Sequence, residues 1–221
     1  MLIRVVLKML EIQKKLTKIN RTIANSRRIK YIVIHYVGSV SGAKNNVDYF
    51  YDKNRGASAH YFVDENSIWQ CVDDSNVAWH CGGTKTYYSE CRNGNSIGIE
   101  LCCKKDANGT WYFESQTVQN AIELTQYLMK LHGIKIENVI RHYDVTHKVC
   151  PEPYVRDEGA WNNFKRRIAM KEITDVKEAL DYLVEKGRVT DRTYWEKVIL
   201  TTRNTEFLFI KWANDVKKLE S

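Results

Sequence analysis

Residues 31–37, YIVIHYV, form a nearly continuous apolar run that is rich in β-branched side chains. Such a run is typical of a strand buried on both faces, because a half-exposed strand alternates apolar and polar residues. This segment therefore predicts the central strand of a sheet. His35 lies near its end, where a polar ring requires a specific partner.

Strand and helix patterns alternate along the first 170 residues. The segments SAHYFVD and SIWQCV flank residues 64–66 and predict a hairpin. Residues 96–103 predict a strand, and residues 138–145 predict a strand that runs into a loop. Helices are predicted over residues 44–54, 115–132 (with a cap at Ser115 and a stop at Gly133) and 158–169. The alternation predicts an α/β fold, with a central mixed β-sheet flanked by helices.

The ends of the chain differ from this pattern. Three helical patterns follow residue 170 and predict a small C-terminal all-helical module. Residues 1–30 carry nine Lys or Arg and one Glu, a net +8, whereas the whole chain carries +7. We therefore predict a basic N-terminal arm (1–28), a mixed-sheet domain (29–170) and a three-helix module (171–221).

The charge distribution leaves two interpretations of the arm. It would bind nucleic acid, anionic lipid or an anionic wall polymer, or it lies solvated on the domain. No apolar run approaches the roughly 20 residues of a membrane span. Arg4 and Lys8 interrupt the apolar start, so we expect no secretory signal and synthesis in the cytoplasm. We expect the six cysteines to be mostly reduced thiols, with a Cys81–Cys91 bridge as the alternative.

Three side chains suggest a metal centre. His142 and Cys150 are eight positions apart in RHYDVTHKVC, and His35 is a candidate third ligand from another element. Imidazole and thiolate suit zinc, and a catalytic zinc takes three protein ligands. Taken singly, a histidine at a strand end is more often a structural residue, and a lone cysteine is more often a small buried one.

Two charged residues are candidates for the chemistry. Glu100 lies between apolar residues of a predicted strand, where it would act as a general base or lie on a solvated face. Lys148 would stabilise an oxyanion or be an exposed lysine. Further candidates for lining a cleft, each also explicable as packing or surface, are Tyr36, His60, Trp79 and His80.

Four ordered motifs resemble one family: YIVIHYVG, GASAHYFVDENSIWQCVDDSNVAWHCGG, NSIGIELC and RHYDVTHKVCPEPY. Together they are similar to the zinc-dependent type 2 N-acetylmuramoyl-L-alanine amidases, whose fold is shared by bacteriophage endolysins and peptidoglycan recognition proteins. The resemblance covers residues 29–168. It implies that His35, His142 and Cys150 hold Zn²⁺, that Glu100 is the general acid/base, and that Lys148 polarises the scissile carbonyl.

The resemblance also implies a reaction and a partner. The reaction is hydrolysis of the amide between N-acetylmuramic acid and the L-alanine of the peptidoglycan stem peptide. Trp79 and His80 resemble groove residues that contact the muropeptide, and Ala59 stands where some members carry a tyrosine. The alternative is a non-catalytic peptidoglycan-binding module, but such members typically lack the cysteine that is present here as Cys150.

The remaining expectations concern location and assembly. An endolysin or autolysin made without a signal peptide would act at the cell wall after release. By analogy with endolysins, the C-terminal module would bind the wall or form a homo-oligomer. The rest of the chain is close to neutral, which argues against nucleic acid as the partner.

Overall fold

The described residues form two units, each with its own hydrophobic core. The structure is a computed structural model, and it describes residues 9–83, 85–170, 173, 175–202 and 205–220. The first unit is Met9–Ile168, and the second lies within Ala169–Ser221. Among the described residues, no helix has both the length and the apolar character that crossing a bilayer requires.

The first unit alternates strands and helices, as its sequence pattern predicts. Its described strands are β1 (Ile12–Lys14), β2 (Tyr31–Tyr36), β3 (Tyr61–Val63), β4 (Ile68–Gln70), β5 (Ser96–Leu101), β6 (Lys104–Lys105), β7 (Trp111–Tyr112) and β8 (Val139–Arg141). Its described helices are α1 (Ala43–Tyr51), α2 (Ser115–His132), α3 (His142–Thr146), α4 (Glu152–Arg156) and α5 (Glu158–Ala169).

Six of these strands form one mixed sheet in the order β1-β4-β3-β5-β2-β8. The β3–β4 pair is the predicted hairpin and is antiparallel, whereas the other neighbouring strands are parallel. Strands β6 and β7 form a separate two-stranded hairpin, with Gly109 in its turn at a φ of 81°. The predicted mixed sheet is therefore confirmed.

Strand β2 lies inside the sheet, between β5 and β8, and both of its faces are covered. Ile32 and Ile34 are fully buried in the main core, which also holds Leu124 and Leu128 of α2 and Phe164 of α5. The other face of β2 presents alternate residues, as the period of a strand requires. Val33 belongs to a second buried cluster, and His35 lies on this same face. The sheet therefore separates the main core from the face that carries the polar site.

The N-terminal residues contradict the predicted boundary at residue 28. Residues 9–28 belong to the first unit, because β1 pairs in parallel with β4 and Ile12 packs against the main core. The guanidinium of Arg27 donates to the backbone carbonyls of Asn76 and Ser96. Backbone pairing and apolar contacts thus hold this segment on the sheet. Residues 1–8 of the predicted arm lie outside the described residues.

The helices differ from the predicted bounds at their ends. Helix α2 spans the predicted residues and ends at Gly133, which has a φ of 66° and donates its N–H to the carbonyl of Met129. Its N-cap is Glu114 rather than Ser115. The predicted loop after β8 is instead the short helix α3, because a carboxylate oxygen of Asp144 accepts the backbone N–H of Arg141 at 2.8 Å.

The second unit consists of three described helices, which agrees with the predicted all-helical module. They are α6 (Val176–Glu185), α7 (Arg192–Thr201) and α8 (Thr205–Leu219). Their apolar faces meet in a core that includes Leu180, Leu183 and Phe209. The buried side chain of Asn214, on α8, accepts the backbone N–H of Ile173 and donates to its carbonyl. These two hydrogen bonds join Ile173 to α8.

Candidate metal centre and active site

The candidate metal centre is built at the carboxyl ends of two adjacent strands. His35 is the fifth residue of β2, and His142 begins α3 directly after β8. Because β2 and β8 are parallel neighbours, these two ends lie side by side. The loop after α3 brings Cys150 back beside the start of that helix, because the Cys150 carbonyl accepts the N–H of Tyr143 at 2.8 Å.

The three predicted ligands lie together and are buried. One possible ligand atom from each of His35, His142 and Cys150 lies within 4.8 Å of the other two. The Cys150 Sγ is 3.6 Å from the His35 Nδ1, and the two histidine rings are 4.8 Å apart between centroids. The His142 Nε2 is buried and has no hydrogen-bond partner among the described residues. An orphaned imidazole nitrogen beside a second imidazole and a sulfur fits a zinc ion.

Burial sets the protonation states of these groups in the metal-free chain. It lowers the pKa of His35 well below its usual value, and it lowers the pKa of His142 to about 4, with a further contribution from the charge of Lys148. Both imidazoles are therefore neutral and able to bind a metal. Burial raises the pKa of the Cys150 thiol to about 12, so this group must release a proton when it binds a cation.

Glu100 and Lys148 line the same cavity as the three ligands, with a volume of about 220 Å³. Strand register places Glu100 on β5 directly beside His35 on β2. Burial raises the pKa of Glu100 to about 8, against the opposing effect of the Lys148 charge. The Glu100 Oε2 is buried without a hydrogen-bond partner among the described residues. This carboxyl can therefore hold and release a proton near neutral pH.

Three of the four other predicted residues line this cavity, namely Tyr36, Trp79 and His80. The Tyr36 hydroxyl donates to Glu152 at 3.1 Å, and the Trp79 Nε1–H donates to the Thr22 hydroxyl at 2.9 Å. His80 is buried, and both of its ring nitrogens lie within hydrogen-bond distance of protein side chains.

His60 does not line the cavity. It is fully buried, and its Nδ1 accepts the N–H of Gly98 at 3.0 Å. Its Nε2 is 3.2 Å from the carbonyl of Asn76, to which it donates because the other nitrogen is an acceptor. The cleft position predicted for His60 is therefore wrong: its neighbours satisfy both nitrogens below the surface.

Four further residues line the cavity and were not predicted from the sequence, namely Val37, Phe50, Ala57 and Ser58. Phe50 stacks on Phe62 at 5.6 Å between ring centroids, so its sequence signal is that of a core residue of α1. Ser58 accepts the backbone N–H of Trp79 at 2.9 Å through its hydroxyl. All six cysteines are buried, and none is paired in a disulfide.

Comparison with known proteins identifies the family. The family model described as N-acetylmuramoyl-L-alanine amidase matches residues 25–153, which is more than half of the chain. The chain belongs to this amidase family. The match contains β2, β5, β8 and all three candidate ligands of the amidase domain.

Two amidases of bacilli are similar in sequence. The N-acetylmuramoyl-L-alanine amidase CwlL of Bacillus licheniformis is 34% identical over 173 residues, covering 72% of this chain and 47% of that protein. The amidase BlyA of Bacillus subtilis (strain 168) is 32% identical over 157 residues, covering 65% of this chain and 42% of that protein. The chain thus spans less than half the length of these relatives.

Solved structures agree with the fold. PlyL has a TM-score of 0.62 at 27% identity and covers 74% of this chain and 100% of its own. The catalytic domain of XlyA has a TM-score of 0.60 at 26% identity, with coverages of 72% and 100%. These matches confirm the predicted amidase resemblance and its sheet architecture.

Proposed function

We propose that this amidase hydrolyses the amide between N-acetylmuramic acid and the L-alanine of the peptidoglycan stem peptide, with zinc as its cofactor. The observation that carries the proposal is the placement of Glu100 beside His35, His142 and Cys150 in one cavity. The names of the sequence relatives support the bond that is cleaved.

His35, His142 and Cys150 would hold the zinc ion. Their donor set is two neutral imidazoles and one thiolate, which leaves a coordination position for a non-protein ligand. The chemistry that the metal supplies when bound is polarisation of a carbonyl and a lowered pKa of water.

Glu100 would move the proton that amide hydrolysis requires. Its carboxylate takes a proton from the attacking water, and its carboxylic acid then gives that proton to the leaving amide nitrogen. In the metal-free chain, burial raises the pKa of Glu100 to about 8, which makes this carboxyl a better proton acceptor than an ordinary glutamate. The partly buried position of Glu100 next to His35 supports this role.

Lys148 would stabilise the negative charge that develops on the scissile oxygen. It lines the cavity, and its ammonium acts electrostatically on Glu100 and His142. A fixed positive charge beside the reacting carbonyl lowers the energy of the transition state more than that of the ground state. Tyr36 and Trp79 would contact the substrate at the wall of the cavity.

Digestion of purified peptidoglycan tests the proposal through the bond that breaks. We expect new amino groups on L-alanine and intact glycan strands, which mass spectrometry of the soluble products distinguishes. Release of reducing sugar ends without new amino groups would contradict the amidase assignment. Sedimentation with the wall, without either product, would favour a peptidoglycan-binding module instead.

The partner and site of action follow from the same proposal. The partner is bacterial peptidoglycan, and the place of action is the cell wall. Wall binding or homo-oligomer formation by α6–α8 stays a prediction. Pelleting with purified wall and sedimentation velocity of the full chain would separate these two roles.

A further inference from the structure

We infer that His80 and Ser96 form a hydrogen-bond chain that holds His35 in the tautomer that binds the metal. His80 is then a positioning residue that acts through His35, and not the muropeptide contact predicted from the motif VAWHCGG. The inference rests on the proposed metal centre and adds the residues that orient one of its ligands.

The hydrogen-bond chain runs from His35, at the metal centre, to a backbone carbonyl. The His35 Nε2 is 3.0 Å from the His80 Nδ1, and the His80 Nε2 is 3.2 Å from the Ser96 Oγ. The Ser96 hydroxyl lies 2.7 Å from the carbonyl oxygen of Arg92. His35, His80 and Ser96 are all buried, so protein groups rather than bulk water decide where the protons lie.

The final contact fixes the direction of every donor. A carbonyl oxygen only accepts, and two oxygens 2.7 Å apart with no proton between them would repel, so Ser96 donates to Arg92. The Ser96 oxygen then accepts the proton on the His80 Nε2. The His80 Nδ1 is left with its lone pair, and it accepts the proton on the His35 Nε2.

The hydrogen-bond chain thereby determines which ring nitrogen of His35 carries the lone pair that can bind a metal. With the proton on its Nε2, neutral His35 carries its lone pair on Nδ1, the nitrogen that lies 3.6 Å from the Cys150 Sγ. This is the nitrogen that faces the other ligands. Metal-bound histidines commonly donate their second N–H to such a partner, which sets the tautomer and the ring orientation.

The surrounding residues are shaped around the His80 ring. A Cβ at Gly98 would lie 2.5 Å from the His80 Cγ and 2.8 Å from its Nδ1, so only glycine leaves room for the ring. The side-chain oxygen of Asn93 accepts the backbone N–H of His80 at 3.0 Å and that of Cys81 at 2.8 Å. The absence of a side chain at Gly98 and the backbone hydrogen bonds to Asn93 thus accommodate the His80 ring beside His35.

Two variants of the full-length protein, whose new side chains have nearly the same shape as each other, test the hydrogen-bond chain. His80→Asn keeps an acceptor near the position of Nδ1, whereas His80→Leu has nearly the same shape and no acceptor. We expect the Kd for zinc, measured by chelator competition, to rise about 10- to 100-fold in His80→Leu. In His80→Asn we expect most of this loss to be recovered.

Ser96→Ala tests the outer end of the chain, with Thr125→Ala as its matched control. Thr125 is also buried and donates its hydroxyl to a backbone carbonyl, but within α2. We expect weaker zinc binding in Ser96→Ala only. In metal-free wild type, ¹⁵N NMR of the imidazoles should place the His35 proton on Nε2, and Ser96→Ala should increase the Nδ1–H form.

The outcomes separate this inference from the proposed function. Wild type that binds one zinc, with His80→Leu and His80→Asn binding it equally tightly, overturns the inference and leaves the metal centre intact. A His35 proton on Nδ1 in the metal-free wild type also overturns it. Wild type that binds no zinc overturns the metal centre and this inference with it.

Discussion

Glu100 is the residue on which the proposed chemistry depends most. Glu100→Gln keeps the shape of the side chain but cannot accept the proton of the attacking water. We expect turnover of peptidoglycan to fall by about 10²- to 10⁴-fold, with zinc still bound. Initial rates of amine release, measured beside the zinc content, check this prediction.

The matched control for this variant is Glu90→Gln, because Glu90 is an exposed carboxylate. We expect its rate to equal that of the wild type. Full turnover by folded, zinc-loaded Glu100→Gln would show that another group transfers the proton.

The raised pKa of Glu100 also predicts a cost in stability for the metal-free chain. Its folded pKa of about 8 exceeds the unfolded value near 4.3, so the folded state binds more protons between these pH values. The stability associated with protonated Glu100 is complete below the unfolded pKa and is lost as pH rises through the folded pKa. In Glu100→Gln this loss should be absent.

Urea unfolding of the two metal-free proteins across pH 4–9 measures the difference. We expect Glu100→Gln to gain about 5 kcal/mol relative to wild type as pH rises from the lower to the upper pKa. A difference that is constant with pH would mean that the folded carboxyl titrates normally.

Residue types predicted the candidate metal ligands better than they predicted the residues around those ligands. His35, His142 and Cys150 were identified as candidate ligands from the sequence, and the structure brings them together. His60 does not line the cavity, and His80 lines it but is hydrogen-bonded to His35 and Ser96. Their hydrogen bonds depend on Ser96 and Gly98, which approach only after β5 has paired in the sheet.

Among the elements, α3 is the one whose position matters most for the site. It begins at His142, and the preceding Arg141 binds three neighbours at once. Its guanidinium contacts Asp144 at 2.9 Å, Glu158 at 2.6 Å and the carbonyl of Tyr154 at 2.9 Å. One buried cation therefore joins β8, α3, α4 and α5.

Arg141→Met should weaken this junction. Removing the cation leaves the carboxylate of Asp144 and the carbonyl of Tyr154 without their shared donor. We expect the free energy of unfolding to fall by about 2–4 kcal/mol, measured by urea denaturation. Exposed Arg166→Met, from the adjacent α5, is the control and should change it by less than about 0.5 kcal/mol. Equal effects of the two variants would contradict this account.

Elements with strong local patterns were predictable, and those set by distant contacts were not. The apolar run of β2 and the stripe of α2 gave correct elements because burial dictates their composition. Strand β1 was missed, since its three residues, Ile12–Lys14, carry no strand pattern and acquire strand geometry by pairing with β4. Helix α3 was missed because its start depends on one hydrogen bond, from the backbone N–H of Arg141 to the carboxylate of Asp144.

At the scale of the whole chain, the site lies entirely within one unit. All three candidate ligands, Glu100 and Lys148 belong to Met9–Ile168, whose core is separate from that of α6–α8. A fragment of residues 9–170 should therefore fold and bind zinc. We expect it to cleave soluble muropeptides within about threefold of the full-length rate.

Circular dichroism and amine release from soluble substrate measure this outcome. Intact wall as a second substrate reveals any contribution of the C-terminal helices to wall binding. A folded fragment that has lost zinc or activity on soluble substrate would contradict the independence of the catalytic unit.

Zinc dependence of the reaction is best measured by adding zinc to the metal-free full-length protein, with purified peptidoglycan as the substrate. We expect no release of L-alanine amino groups without metal, a rise in rate with added zinc, and saturation at one zinc per chain. Cys150→Ser should require far more zinc to reach any activity. Undiminished amine release by the metal-free chain, or none at saturating zinc, would contradict the account.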